Sequence, residues 1–116
     1  MRWVIIVCLI MIFGGTALAD VVDIVKQTRN SAGLPCKEIP KVIESKLGYK
    51  DLITKWLGNK LNGNYKVSLQ VSAQKDIQAD GVYVSYRWRP EWVWEVEDEN
   101  VTPVNALARN WMAGKI

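Results

Sequence analysis

The chain contains no histidine. This removes the one side chain that titrates near neutral pH, and with it Ser-His and Cys-His nucleophiles and histidine-ligated zinc. Cysteine is almost absent, with only Cys8 and Cys36 in 116 residues. Once an N-terminal leader is set aside, Cys36 stands alone, which excludes an internal disulfide, a CxxC redox pair and a thiolate zinc site. In an oxidising compartment a lone thiol is either buried or bridged to another chain. Cys36 is therefore the candidate for an intermolecular disulfide, and for a homodimer formed through it. No metal or cofactor is expected. The basic residues are dispersed rather than clustered, so nucleic acid is not an expected partner.

No apolar run is long enough to cross a membrane. The longest, Trp3 to Phe13, has eleven residues, against the roughly 20 that a spanning helix needs. Arg2 precedes it, Gly14-Gly15 breaks it, and Ala17-Leu18-Ala19 follows with small residues at the two positions that a signal peptidase reads. The expectation is a cleaved signal peptide at 1–19 and a single small domain at 20–116. That places the protein in the periplasm or outside the cell, with no stable membrane span after cleavage. Six tryptophans, five of them beyond the leader, are the expected core material of a domain without a disulfide staple.

Charge is lopsided although the net value is only +3. Val21 to Lys75 is mostly basic, and Asp76 to Asn100 is mostly acidic. Such asymmetry suits an oppositely charged partner, self-association, or two solvated faces.

The apolar period divides the chain. "DVVDIVKQTRNSAG" has helical spacing and ends at Asn30 to Gly33. "KVIESKLGY" follows Pro40, which fits a first turn, and stops at Gly48. "YKDLITKWLGNKLNG" reads as a third helix, with Leu52, Ile53, Trp56 and Leu57 inward and Lys46, Lys50, Lys55 and Lys60 mostly outward. From Asn64 the period becomes two. "YKVSLQVSA" puts Val67, Leu69, Val71 and Ala73 on one face, Asp80-Gly81 is a turn signal, and "VYVSYRW" and "WVWEVEDE" are two further strands. Thr102 as N-cap and Pro103 as first helical residue open a last helix with Val104, Leu107, Ala108, Trp111 and Met112 inward. The predicted class is α+β: two or three N-terminal helices, a three-stranded antiparallel meander and a C-terminal helix packed on the sheet.

Function turns on "YRWRPEWVWEVEDE". A three-residue hairpin loop at Arg89-Pro90-Glu91 puts Trp88 opposite Trp92, Tyr86 opposite Trp94 and Val84 opposite Val96, all on one buried face. A loop of two or four residues slips the pattern and leaves Trp92 and Trp94 beside Arg87 and Arg89 as a cation–π surface. The three-residue loop is the expected one, because it unites the apolar stripes. The candidate binding residues are Arg87, Arg89, Glu91, Trp92, Glu95 and Glu97. No catalytic residue is assigned, and an enzyme is not expected. The expected role is protein–protein interaction in the cell envelope, with another envelope or secreted protein as partner: an inhibitor, an immunity-like protein or an accessory subunit. The alternatives are a carbohydrate- or peptide-binding module using exposed Trp and Arg, and a carboxylate-only hydrolase built on Glu95 and Glu97.

Overall fold

The computed structural model describes residues 18–115. The expected signal segment lies outside them apart from Leu18 and Ala19. The described elements are α1 (Leu18–Gln27), a 3-10 turn (Cys36–Glu38) running into α2 (Ile39–Leu47), β1 (Lys50–Lys60), β2 (Tyr65–Ala79), β3 (Val82–Trp88), β4 (Glu91–Glu97), β5 (Asn100–Pro103) and α3 (Ala106–Met112). The class is α+β, as expected. The sheet, however, has five antiparallel strands rather than three.

The first correction concerns "YKDLITKWLGNKLNG", which is a strand and not a third helix. β1 pairs with β2 from Lys50↔Gln74 to Lys60↔Tyr65, with one register shift between Lys50 and Ile53. The segment fits both periods. Leu52, Ile53, Trp56 and Leu57 satisfy a helix, whereas Leu52, Thr54, Trp56 and Gly58 satisfy a strand. Two local preferences favour the strand: β-branched Ile53 and Thr54 beside Trp56, and a glycine at 58 that weakens a helix interior. Gly58 has a specific reason to lack a side chain. A Cβ there would lie 3.1 Å from Val22 Cγ2 and 3.4 Å from Leu18 Cβ, so α1 crosses β1 where the strand is bare.

The second correction is at Pro90, where no hairpin turn exists. β3 and β4 lie end to end along the same side of β2. One register holds from Tyr65↔Val96 through Gln70↔Glu91 and from Ala73↔Trp88 to Ala79↔Val82. The ladder even bridges the break, since Val71 N donates to Pro90 O at 3.1 Å. Pro90 has no N–H to return, so it interrupts the strand without bending the chain back. The expected turn at Asp80-Gly81 is present, with φ of 54° and 76°, the left-handed pair that two-residue hairpin loops require. The expected pairs Trp88/Trp92, Tyr86/Trp94 and Val84/Val96 therefore do not oppose one another. Trp88 and Trp92 follow along one strand face and meet edge to face at 6.2 Å.

The helices contribute to one core over one face of this sheet. Val21 and Val25 of α1, Cys36, Ile39 and Ile43 around α2, and Ala108 and Trp111 of α3 join Val67, Leu69, Val71, Ala73, Trp92, Trp94 and Val96 in a single buried cluster. Trp56 stacks on Trp94 at 6.0 Å, so β1 and β4 are linked across β2. Lys75 Nζ donates to Leu47 O at 2.9 Å and sits over the Tyr49 ring at 5.2 Å. This closes the C-terminus of α2 where the core ends. The indole N–H groups of Trp94 and Trp111 are buried without a partner among the described residues, an omission that costs about 1–3 kcal/mol each.

Thr102 and Pro103 belong to β5, opposite Glu95 and Trp94, and do not start the last helix. Asn105 is the N-cap. Its Oδ1 accepts from Ala108 N at 3.0 Å and from Val93 N at 3.2 Å, and its Nδ2 donates to Glu91 O at 2.8 Å. One side chain thus begins α3 and fastens it to β4. Asn105→Ala should lower stability by about 1–3 kcal/mol, read from the urea midpoint, because it removes a cap and orphans two strand groups.

The acidic run is divided by geometry. Glu97 pairs with Asn100, so Asp98-Glu99 is a two-residue turn with φ of 49° and 70°. Glu99 holds a left-handed conformation that a side chain with a Cβ disfavours by about 1–2 kcal/mol. Glu99→Gly should therefore raise the thermal midpoint. An unchanged or lower midpoint would show that the turn stores no strain.

Candidate binding face

Alternation along β3–β4 sorts the six sequence candidates. Odd positions face away from the helices and even positions face the core. Arg87, Arg89, Glu91, Glu95 and Glu97 therefore share the outer face. Trp92 is on the other side and only 1% exposed. Among the other tryptophans described, Trp94 and Trp111 are buried and Trp56 and Trp88 are half-buried. The exposed Trp–Arg platform that a slipped register would have made is not formed.

Cross-strand register builds the face in rows. Ile53, Ser72 and Arg89 occupy one row, Lys55, Gln70 and Glu91 the next, and Leu57, Ser68 and Val93 a third. Only the third row is largely closed, with Ser68 3% and Val93 8% exposed. Beyond it Glu95 lies opposite Lys66, and Glu97 ends the strand. The face therefore passes from cationic at Arg87, Arg89 and Lys55 to acidic at Glu95 and Glu97. That span is about 30 Å for a strand rising 3.3 Å per residue.

A polar ladder holds the arm-side end. Arg87 donates to Ser72 Oγ at 2.7 Å and to Gln74 Oε1 at 2.9 Å. Asp76 accepts from Ser85 Oγ at 2.8 Å and Gln74 Nε2 at 3.4 Å, and pairs with Lys50 at 2.7 Å. The Lys50 contact, then the Ser85 and Gln74 donors, pull the Asp76 carboxyl down to about 2. Lys50 is raised by the same bond. Both groups are solvent-exposed, so this pair orders side chains more than it stabilises the fold.

A groove of about 280 Å³ opens beside the proline. Ile53, Lys55, Gln70, Ser72, Arg89 and Glu91 line it together with Val71 and Pro90. Gln70 Nε2 donates to Glu91 Oε2 at 3.2 Å. Among the described residues, the Lys55 and Arg89 side chains make no hydrogen bond or ion pair. Pro90 cannot donate, so the carbonyl of Val71 lacks its ladder partner on that side. The groove thus offers two cations, two neutral hydrogen-bonding side chains, one carboxylate and one backbone acceptor beside a few apolar residues. That set suits a polar, charged chain segment. Sequence reading found Arg89 and Glu91 but assigned Lys55 to a helix surface; the alternation of Leu52, Thr54 and Trp56 was the signal that places it here.

Cys36 lies elsewhere, in the core, 0% exposed, with its Sγ 4.0 Å from Met112 Sδ. Burial pushes its thiol up to about 11, and the neighbouring Trp111 indole offsets this only in part. That contact falls short of hydrogen-bond geometry, since the indole N–H has no partner. An intermolecular bridge through Cys36 would require this site to open. Among the described residues no cluster of three metal-ligating side chains exists, and no helix is long and apolar enough to cross a membrane. No protein-family model, curated protein or solved structure matches the chain.

The raised thiol gives a signed expectation. A group whose folded pKa lies above its unfolded value adds stability below the unfolded value, near 9.0, and loses it as pH rises towards 11. The stability difference between the protein and Cys36→Ala should therefore shrink across that alkaline window. Native-state alkylation at pH 8 should be slow for the same reason. Fast alkylation of the folded protein would contradict both.

Proposed function

We propose that this is an exported binding protein, periplasmic or secreted, that acts by protein–protein interaction in the cell envelope. It would serve as an inhibitor, an immunity-like protein or an accessory subunit. Export is supported by Arg2, the apolar run to Phe13 and the small residues at Ala17 and Ala19. The observation that carries the binding role is the outer sheet face. Five of the chemically distinctive residues converge there, no described helix covers them, and a groove interrupts the ladder beside two cations, Lys55 and Arg89, that have no partner among the described residues.

Binding is favoured over catalysis by residue chemistry. Glu95 and Glu97 are both exposed, whereas acid–base work by two carboxylates needs environments that separate their proton affinities. The absence of histidine removes the usual substitute. The face instead suits an extended partner segment of mixed charge, its acidic part against Lys55 and Arg89 and its basic part against Glu95 and Glu97.

The test is capture of partners from envelope extracts, followed by measurement with the purified partner. Lys55→Glu with Arg89→Glu should weaken that binding by at least about tenfold and flatten its dependence on salt. Equal affinity of the double variant for every purified partner would sink the assignment to this face.

A further inference from the structure

Beyond the core the sheet narrows to two strands. β1 begins at Lys50, opposite Gln74, so the segment from Lys75 to Ala79 pairs with β3 alone among the described residues. This ribbon exposes Ile77, Val82, Tyr83, Val84 and Tyr86, between 45% and 73%. A two-stranded ribbon is marginal in water, and a third or fourth strand is what makes such a structure stable.

The edges formed by β1, β5 and β3 differ in how they meet solvent. β5 is four residues long and ends in Pro103, and β1 carries Lys50, Asp51, Lys55 and Lys60. Both are ways of discouraging edge pairing. β3 has no proline, and its one charge, Arg87, lies beside its end. Val82 to Tyr86 is an uncharged run of valines and tyrosines around Ser85, with no register shift. Among the described residues, no strand pairs with the outer side of β3. Val93 directs its carbonyl away from β2, to Val104 N at 2.8 Å. The register is unbroken from there back along the strand, so by alternation Tyr83, Ser85 and Arg87 point their N–H and C=O groups outward as well.

We propose that β3 is a self-association edge, at which a second copy of this chain adds its own β3 antiparallel across a two-fold axis through Val84. The sequence is self-complementary in that register. Val84 meets Val84, Val82 meets Tyr86, and Tyr83 exchanges backbone hydrogen bonds with Ser85, which are favourable cross-strand pairs. Gly81 meets Arg87, which sets Asp80 of one copy beside Arg87 of the other. The guanidinium of Arg87 has only neutral partners within its own chain among the described residues, Ser72 and Gln74. Each copy thereby gains an opposite charge, no like charges are opposed, and two marginal ribbons become one four-stranded sheet. This assembly uses neither the groove at Pro90 nor Cys36.

The test is sedimentation velocity of the full-length chain, under reducing conditions, from micromolar to millimolar concentration. The expected result is a concentration-dependent dimer. Val84→Lys and Val84→Glu each place like charges face to face and should abolish it, while an equimolar mixture of the two should restore it as a heterodimer. Val84 is exposed and outside the core, and Val84→Thr, which keeps strand propensity without charge, should remain dimeric. Circular dichroism of each variant confirms the fold. A chain that stays monomeric at millimolar concentration overturns the proposal. So does a dimer that survives Val84→Lys, which would place the contact elsewhere, on another surface or in residues 1–17.

Discussion

The structure depends on one constraint, the single register between β2 and the co-linear pair β3–β4. Because side chains alternate strictly, that register decides what every residue from Tyr65 to Glu97 does. It sets Trp92 against Leu69 and Trp94 against Val67 on the helix side. By the same act it sets Arg89 in the row of Ser72, and Glu91 opposite Gln70, on the open side. A slip of one residue would exchange these sets, burying arginine and glutamate and exposing indoles. Burying a charge without a partner costs far more than any turn preference supplies, so the register is held by the core rather than by the loop. The Asp80-Gly81 turn is compatible with it and begins it, but Trp92 and Trp94 fasten it.

Much of this was legible in the sequence, and the failures have physical causes. The alternation of "YKVSLQVSA" identified β2 and its buried face correctly, because a half-covered strand leaves the clearest pattern. Pro40 and Gly48 bounded α2 because their effects are local: one fixes φ and the other permits the left-handed cap at φ 75°. The segment from Tyr49 to Gly63 misled because apolar residues at 52, 53, 56 and 57 fit a helix, while its strand identity came from pairing with the next strand, β2, from Lys60↔Tyr65 to Lys50↔Gln74. Ladder hydrogen bonds to β2 and the close approach of α1 at Gly58 are tertiary facts. Pro90 misled for a related reason. Proline favours turns, yet it also occurs where a strand lacks one donor, and nothing within a few residues separates the two. For the outer face, the alternation around Arg87 to Glu97 placed the charged residues together, whereas Lys55 entered only through the pairing of β1. Thr102-Pro103 resembles a helix start, and the contacts that favour Asn105 as the cap, to Val93 N and Glu91 O, are tertiary contacts to β4.

Pro90 does more than interrupt. It lies opposite Val71, inside the helix-backed part of the sheet, and the bare ribbon begins only beyond Ala73 and Trp88. On the core side Pro90 is buried and its carbonyl still receives Val71 N. On the open side its missing N–H leaves a carbonyl and a shallow groove flanked by cations. A single residue type thus costs one hydrogen bond of order 1 kcal/mol and leaves the Val71 carbonyl without its ladder donor beside the groove.

The ends of the long hairpin then have different physical duties. At the β4–β5 end the chain is tied by Asn105, by the Val93–Val104 bond and by the tryptophan core, so its charged residues project from a rigid support, as a recognition surface of defined geometry needs. At the Asp80-Gly81 end the ribbon leaves the core and carries apolar side chains with no third strand beside them. Had β3 been guarded like β1, with lysines, or like β5, with a proline and four residues, the arm would be an inert projection. Val82 to Tyr86 instead keeps the composition of an interior strand at an exterior position. A sequence normally holds such residues where they are covered. Three separate features point to a strand as that cover: the outward N–H and C=O groups of Tyr83 and Ser85, the neutral run between them, and the unlike charges at its two ends. The chain itself supplies the simplest strand that matches all three.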